Sequence, residues 1–323
     1  MTGIFTISLD FELHWGVFDK KDREARKACY QNTLKLIPDL LKEFSQREVH
    51  VTWATVGALF ARDETSFRQL QPAALPSYRN PIFSAYEYAE KNTLSNEFTW
   101  AHFAPESIHQ ILQHEGQELG THTFGHYYCM EPGQTTAEFA ADLDAAILAA
   151  ETFGEKIRSL VFPRNQFNKD VLGTCYEKGI TSVRSNPDTW FWAPVAEEST
   201  GILRKVFRTG DGYLPISKRT SYPLSSIQKT NKEPLQLPAS RLLRSWNPKY
   251  NIANNLHMRR VLSEMTVAAE KNECYHLWWH PENFGDYPVQ NMENLSVILK
   301  HYRKLVDKYG MTSWNMGEYA DLV

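Results

Sequence analysis

Short apolar runs alternate along the chain with stretches whose apolar residues recur at helical spacing, the rhythm of a parallel sheet with crossover helices. Residues 4–9, Ile-Phe-Thr-Ile-Ser-Leu, form the first strand. A helix is predicted over about 22–44, where Leu34, Ile37, Leu40 and Leu41 share one face. Residues 49–55 read as a second strand, 105–114 as a helix and 117–120 as a third strand. The pattern then predicts a helix over 135–152, a strand at 159–162, a helix over 168–178 that Asn168 can cap, and a strand at 180–183. It resumes with helices near 255–271 and 291–309 and strands at 275–279 and 311–313, which brings the strand-like runs to seven.

Two stretches break the rhythm: 71–103, dense in aromatics and prolines, and 186–250, rich in Pro, Ser, Lys and Trp. Their aromatic content favours ordered walls over linkers. No repeat or low-complexity segment divides the chain, so residues 1–323 read as one elaborated α/β domain with two insertions. Polar residues gather at strand ends, as in barrels whose chemistry lies at the C-terminal ends of their strands.

Charge and cysteines narrow the function classes. The formal charge of -3 comes from 35 basic and 38 acidic residues spread along the chain. No basic face for nucleic acid follows from that distribution. Cys29, Cys129, Cys175 and Cys274 lie far apart with no C-x-x-C pair, which predicts reduced, buried thiols. The first residues lack a basic n-region and reach Asp10 early, and no apolar run is long enough to span a bilayer. A cytoplasmic protein without a transmembrane segment is the expectation.

Two clusters carry candidate chemistry. Asp10 and Glu12 close the first strand with one residue between them, so extended geometry sends both side chains to one face. One can hold a metal while the other works as a base. His122 and His126 follow the third strand at a spacing that lets two imidazoles share a cation, with Gly125 expected to supply the turn. Either acid of the first cluster completes a two-His, one-carboxylate set. His14 beside Trp15 lies near enough to contact substrate, whereas His109, His114, His257 and His301 read as helix-surface residues. Trp190, Trp192 and Trp246 offer flat faces to sugar rings, and Asp142 with Asp144 reads as a solvated helix face.

Taken in order, the segments resemble the motifs of the polysaccharide deacetylases, the family-4 carbohydrate esterases. Ser8-Leu9-Asp10-Phe11-Glu12 resembles the first motif in its Asp-x-Glu form, and His122-Thr123-Phe124-Gly125-His126 matches the His-Ser/Thr-x-x-His second motif. Val161-Phe162-Pro163-Arg164-Asn165-Gln166 stands in place of the arginine-bearing third, Asp188-Thr189-Trp190-Phe191-Trp192 is a weak fourth, and Trp278-Trp279-His280 ends the fifth. The resemblance implies a distorted (β/α)7 barrel. It further implies Asp10 as general base paired with Arg164, Glu12, His122 and His126 as metal ligands, and His280 as general acid. Trp278, Trp279, Asn165, Gln166 and His14 are the implied substrate contacts. Glu12 replaces the commoner aspartate, Pro163 precedes Arg164 without a following tyrosine, and Trp278 replaces a leucine. The backbone N–H of Asn165 or Gln166 is therefore the expected oxyanion donor.

The implied activity is metal-dependent removal of an N-acetyl group from an amino sugar or a surface-polysaccharide precursor. Zn²⁺ is the expected cofactor, with Co²⁺ or Ni²⁺ as alternatives. Two other readings stay open: an amidohydrolase or deformylase of the same fold acting on another linear or cyclic amide, and a glycan-binding protein without turnover.

Overall fold

The computed structural model describes every residue except Met1, Lys218, Arg219, Gln228, Lys229, Asn231 and Val323. Its strands are β1 (Ile4–Phe11), β2 (Val51–Thr55), β3 (Gln117–Thr121), β4 (Ser159–Val161), β5 (Ser182–Ser185), β6 (Tyr222–Pro223), β7 (Leu235–Pro238), β8 (Arg241–Leu242), β9 (Glu273–Trp279) and β10 (Thr312–Ser313). They form one sheet in the order β6-β9-β1-β2-β3-β4-β5-β7, with β10 beside β1 and β8 beside β9. Every pair is parallel except β6 with β9.

The sheet curls into a nearly closed barrel because one segment serves both of its edges. β7 pairs with β5, the chain bends at Ala239-Ser240, and β8 pairs with β9. The Ala239 N–H donates to the Ser185 carbonyl at 2.9 Å and the Ser240 N–H to the His276 carbonyl at 2.8 Å, carrying the hydrogen bonding across the bend. The seventh barrel strand thus comes from inside the 186–250 stretch. The predicted strand at 311–313 is instead the short β10, which pairs with β1 only at Ile4 and Phe5, before β2 begins at Ile7.

Alternation within the strands sorts the side chains. Ile7, Leu9, Phe11, Trp53, Leu119, Leu160, Val183, Leu277 and Trp279 face outward into the main core. Inward lie Ile4, Ala54, Val161, Leu235, Leu237 and Cys274, packed with Met316 and Tyr319 of the C-terminal segment that plugs the barrel floor. Above this apolar floor the interior turns polar: His276 Nε2 and an Arg184 Nη atom meet the Ser8 hydroxyl at 2.9 and 3.1 Å.

The predicted helices form, and Glu64–Leu70, Ala85–Lys91 and Ile202–Asp211 are helices that the sequence pattern did not predict. Lys27–Ser45, Asn251–Lys271 and Pro288–Tyr309 pack their apolar faces on the barrel. Thr136–Glu151 begins in a capping box of Thr135 and Glu138, and the Asn168 side chain accepts the N–H groups of Asp170 and Val171. The 71–103 stretch is an ordered wall: Tyr86 stacks on Phe124, and its hydroxyl donates to Asp142. All four cysteines are buried and free. Among the described residues no helix is long and apolar enough to cross a membrane.

Candidate active site

The C-terminal ends of β1, β3, β4, β5 and β9 converge on a cleft lined by Asp10, Glu12, Gly16, His122, His126, Arg164, Asn165, Glu197, Arg208, Trp278 and His280. The turn after β3 brings its two histidines together. Its left-handed residues are Thr123 and His126, at φ 63° and 54°, and not Gly125. Gly125 is needed for space, because a Cβ there would lie 2.8 Å from the Tyr86 hydroxyl. Asp142 ties the turn down by accepting the Phe124 N–H at 2.7 Å and the Gly125 N–H at 3.2 Å. It is therefore a buried brace, correcting the solvated face expected of it, and burial raises its carboxyl to about 6. Asp144 does lie outside, paired with Lys178 at 2.6 Å.

Glu12 Oε2 lies 3.3 Å from His122 Nε2 and 3.0 Å from His126 Nε2. All three residues are buried, and their ligand atoms lie within 4.8 Å of one another. The Nδ1 of His122 is 2.8 Å from the Val161 carbonyl, which can only accept, so that nitrogen carries the proton and Nε2 is left as a ligand. His126 Nδ1 meets the Tyr128 hydroxyl at 3.1 Å, and burial holds its imidazole down at about 4. One carboxylate oxygen and two imidazole nitrogens aimed at a point suit a divalent transition metal with open positions.

Two supports of this set carry no motif signal. A Cβ on Gly16 would sit 1.9 Å from Glu12 Oε1, so the glycine makes room for the carboxylate. Glu282 accepts the N–H groups of Glu12 and Leu13 at 3.0 and 2.5 Å and fixes the turn that aims Glu12. Its own carboxyl is raised to about 8 by burial and then by the neighbouring Glu12 charge.

Asp10 is held by Arg184, correcting the expected pairing with Arg164. Arg184 reaches Asp10 with two nitrogens at 2.6 and 2.7 Å, in a fully buried fork. Burial pushes the Asp10 carboxyl up, but the Arg184 charge, aided by His122 and His280, outweighs it and holds the group below its ordinary value. Arg164 instead pairs with the buried Asp19 and lies over the Tyr128 ring at 4.0 Å. The difference is one of direction: Arg184 points into the barrel from β5, whereas Arg164 sits in a left-handed turn at φ 55° beyond β4.

His280 Nε2 stands at the rim, 3.7 Å from Asp10 and 3.5 Å from Glu12. The Asn283 amide lies 3.3 Å from His280 Nδ1; with the amide donating, the imidazole proton sits on Nε2, facing the carboxylates. Trp278 lines the cleft, stacked under Arg184 at 4.1 Å. Asn165 also lines it, with its Oδ1 accepting from Arg184 at 3.2 Å.

The remaining substrate contacts lie elsewhere. Trp279, one residue out of phase with Trp278, faces outward and stacks on Phe284. The Gln166 side chain is buried between the Met130 N–H and Glu131. His14 is buried in an aromatic cluster with Tyr30, Tyr88 and His102, where burial holds it at about 4. The expected oxyanion donors are spent, because the N–H of Asn165 donates to the Phe162 carbonyl and that of Gln166 to Pro163. His257 is buried, not surface, and accepts the Arg244 N–H at 3.1 Å. Trp190 is half exposed, Trp192 borders a chamber beside the cleft, and Trp246 packs on Tyr287.

No protein-family model matches this sequence, and a search of curated proteins finds no match. Solved structures do share the fold. A Mycobacterium smegmatis protein assigned as a polysaccharide deacetylase aligns over 99% of this chain and 90% of its own, at TM-score 0.60 and 13% identity. A Pseudomonas aeruginosa protein with the same assignment aligns over 98% and 89%, at TM-score 0.54 and 13% identity. A 4-alpha-glucanotransferase from Thermococcus litoralis aligns over all of this chain but 41% of its own, at TM-score 0.56 and 11% identity. The chain has the polysaccharide deacetylase fold, and the same fold also carries glucan-acting enzymes.

Proposed function

We propose that the protein is a metal-dependent hydrolase that removes the acyl group, most simply acetyl, from an N-acylated amino sugar or glycan precursor. The observation that carries this reading is the pairing of two differently held carboxylates in one cleft. Glu12 lies against two imidazole nitrogens, and Asp10 is locked in a guanidinium fork.

Glu12, His122 and His126 would hold the ion, Zn²⁺ or a similar cation. When bound it would polarise the acyl carbonyl and acidify water. Asp10, kept ionised by Arg184, takes the proton of the attacking water. His280 lies beside both carboxylates and gives its Nε2 proton to the departing amine as the C–N bond breaks. The products are the free amino sugar and the carboxylic acid.

Glycoside cleavage, the chemistry of the glucan-acting neighbours' bond type, fits less well. A two-carboxylate glycosidase needs one carboxyl protonated at its working pH. Asp10 and Glu12 are both held below their ordinary values, Glu12 by the surrounding His280, His126 and His122 against the opposing effect of burial. Glu282, whose carboxyl is raised, does not line the cleft.

The test is acetate release from a panel of N-acetylated sugars by protein loaded with Zn²⁺ or Co²⁺, beside Asp10→Asn and His280→Ala. Release that falls by roughly 100-fold or more in both variants supports the assignment. Release only from formyl or larger acyl donors would replace acetyl with that group. Stoichiometric metal with no release from any donor would leave a binding protein.

A further inference from the structure

The helix Ile202–Asp211 is turned inside out. Arg204, Arg208 and Asp211, spaced by four and three, make its inner face. Arg204 donates to the Ala193 carbonyl at 3.0 Å, Arg208 to the Phe191 carbonyl at 2.6 Å, and the buried Asp211 pairs with Arg241 at 2.9 Å. The opposite face is apolar and open, with Ile202, Leu203 and Val206 78%, 65% and 59% exposed. An amphipathic helix of a globular domain normally turns its apolar stripe inward. The open apolar surface continues on both sides. Exposed Trp190 meets the Phe207 ring at 5.1 Å. Leu214 and Ile216, also exposed, follow the helix, and a Cβ on Gly210 would come within 2.9 Å of Ile216 Cδ1. The result is one apolar ridge, the mark of an interaction surface.

The charge around the ridge is one-sided. Residues 200–263 hold twelve Lys and Arg against two Asp and Glu, whereas the whole chain has 35 against 38. The even spread expected of the charges therefore fails in this stretch. Of its two acids Asp211 is buried and Glu233 half-buried, while Lys205, Lys249 and Arg259 are exposed. Lys205 lies on the ridge helix itself. Arg259 lies on the helix Asn251–Lys271, which is fastened to the end of the ridge helix by His257, whose Nδ1 donates to the Gly212 carbonyl at 2.8 Å. Exposed aliphatic side chains rimmed by cations match an anionic lipid surface, where the apolar groups enter the headgroup boundary and the cations meet the lipid charge. A nucleic acid would meet the cations but leave the apolar ridge uncovered. A second copy, docked across a two-fold axis, would set this cationic stretch against itself.

We propose that the ridge seats the protein on an anionic lipid bilayer as a peripheral protein, with Ile202, Leu203 and Val206 in the headgroup boundary. Arg208 of the same helix lines the metal cleft, so the seated helix also borders the cleft. The N-acylated sugar that the cleft receives is then one carried on a lipid of that bilayer. This last step rests on the hydrolase reading; the seat does not.

Vesicle sedimentation tests the seat on the full-length, metal-free protein. Binding to vesicles of equal parts phosphatidylglycerol and phosphatidylcholine should exceed binding to phosphatidylcholine alone at least ~10-fold and fall with added salt. Leu203→Ser with Val206→Ser, and separately Lys205→Glu with Arg259→Glu, should each weaken it at least ~10-fold with circular dichroism unchanged. Equal binding to neutral vesicles, binding that survives either pair of substitutions, or no binding overturns the seat. So would a solution dimer that Leu203→Ser with Val206→Ser dissolves, or binding of duplex DNA in place of vesicles. On the zinc-loaded protein, acetate release from octadecyl N-acetylglucosaminide in the anionic vesicles should fall at least ~10-fold in Leu203→Ser with Val206→Ser, while release from soluble N-acetylglucosamine holds. The same response on both donors would overturn the lipid-borne substrate. Vesicle binding without release from either donor would sink the hydrolase reading and leave the seat. Release from the soluble sugar without vesicle binding would do the reverse.

Discussion

Asp10 is a buried acid whose ionisation depends on one guanidinium. Burial raises its carboxyl and Arg184 brings it back below the ordinary value, so removing the arginine reverses the sign of the shift. With Arg184 present, Asp10 stays ionised down through mildly acidic pH, and its contribution is lost only as pH falls through its depressed pKa. In Arg184→Met the acid limb of the kcat/KM profile is therefore expected to move upward toward neutrality; an unmoved limb would show that Asp10 is not the base. Gly16 gives a second prediction. Gly16→Ala places a methyl in the space of the Glu12 carboxylate and should weaken Zn²⁺ uptake by roughly 10–100-fold, the scale of lost support around ligands, with circular dichroism unchanged. Parental zinc affinity would refute it. Asp10, Glu12, His122 and His126 were legible because their spacing in sequence sets their spacing in space, each pair lying within one turn or strand end. Arg184 and Glu282 were not, since each reaches the site from a distant element, and Gly16, though near Glu12 in sequence, acts only by the space it leaves.

At the scale of elements, the helices and most strands follow from periodicity, as the Asn168 cap and the β1 alternation show. The exceptions among the described residues include the helix Ile202–Asp211 and the seventh barrel strand. Leu235–Leu242 is interrupted by Pro238 and lies in a polar stretch, so its residues carry no long apolar run. It becomes strand because two edges of the sheet stand open on either side of it. The bend at Ala239-Ser240 leaves the His276 N–H without a strand partner, and the Ser240 hydroxyl accepts it at 3.0 Å. Ser240→Ala orphans that buried donor and should cost about 1–3 kcal/mol in urea denaturation. A loss of a few tenths at most would mean the seam is held by the neighbouring ladder alone.

For the whole molecule, the candidate metal set Glu12, His122 and His126 joins the end of β1 to the turn after β3, while the β7–β8 segment closes the sheet between β5 and β9. A ligand that binds only the folded site stabilises it, by about 2.7 kcal/mol at one hundred times its Kd. The thermal midpoint should rise with added Zn²⁺, fall with chelator, and do neither in His122→Ala; an identical response in that variant would place the ion elsewhere. The sequence by itself determined the alternation of strands and crossover helices, the polar strand ends and the identity of the Asp10–Glu12 and His122–His126 pairs. These are local properties, set by periodicity and by side chains a few residues apart. Tertiary structure decided that Arg184 and not Arg164 holds Asp10, that Trp278 faces the cleft while Trp279 faces the core, and that the 186–250 stretch completes the barrel. Those outcomes depend on which barrel face each strand presents and where the sheet closes, quantities that exist only once distant segments share one set of hydrogen bonds.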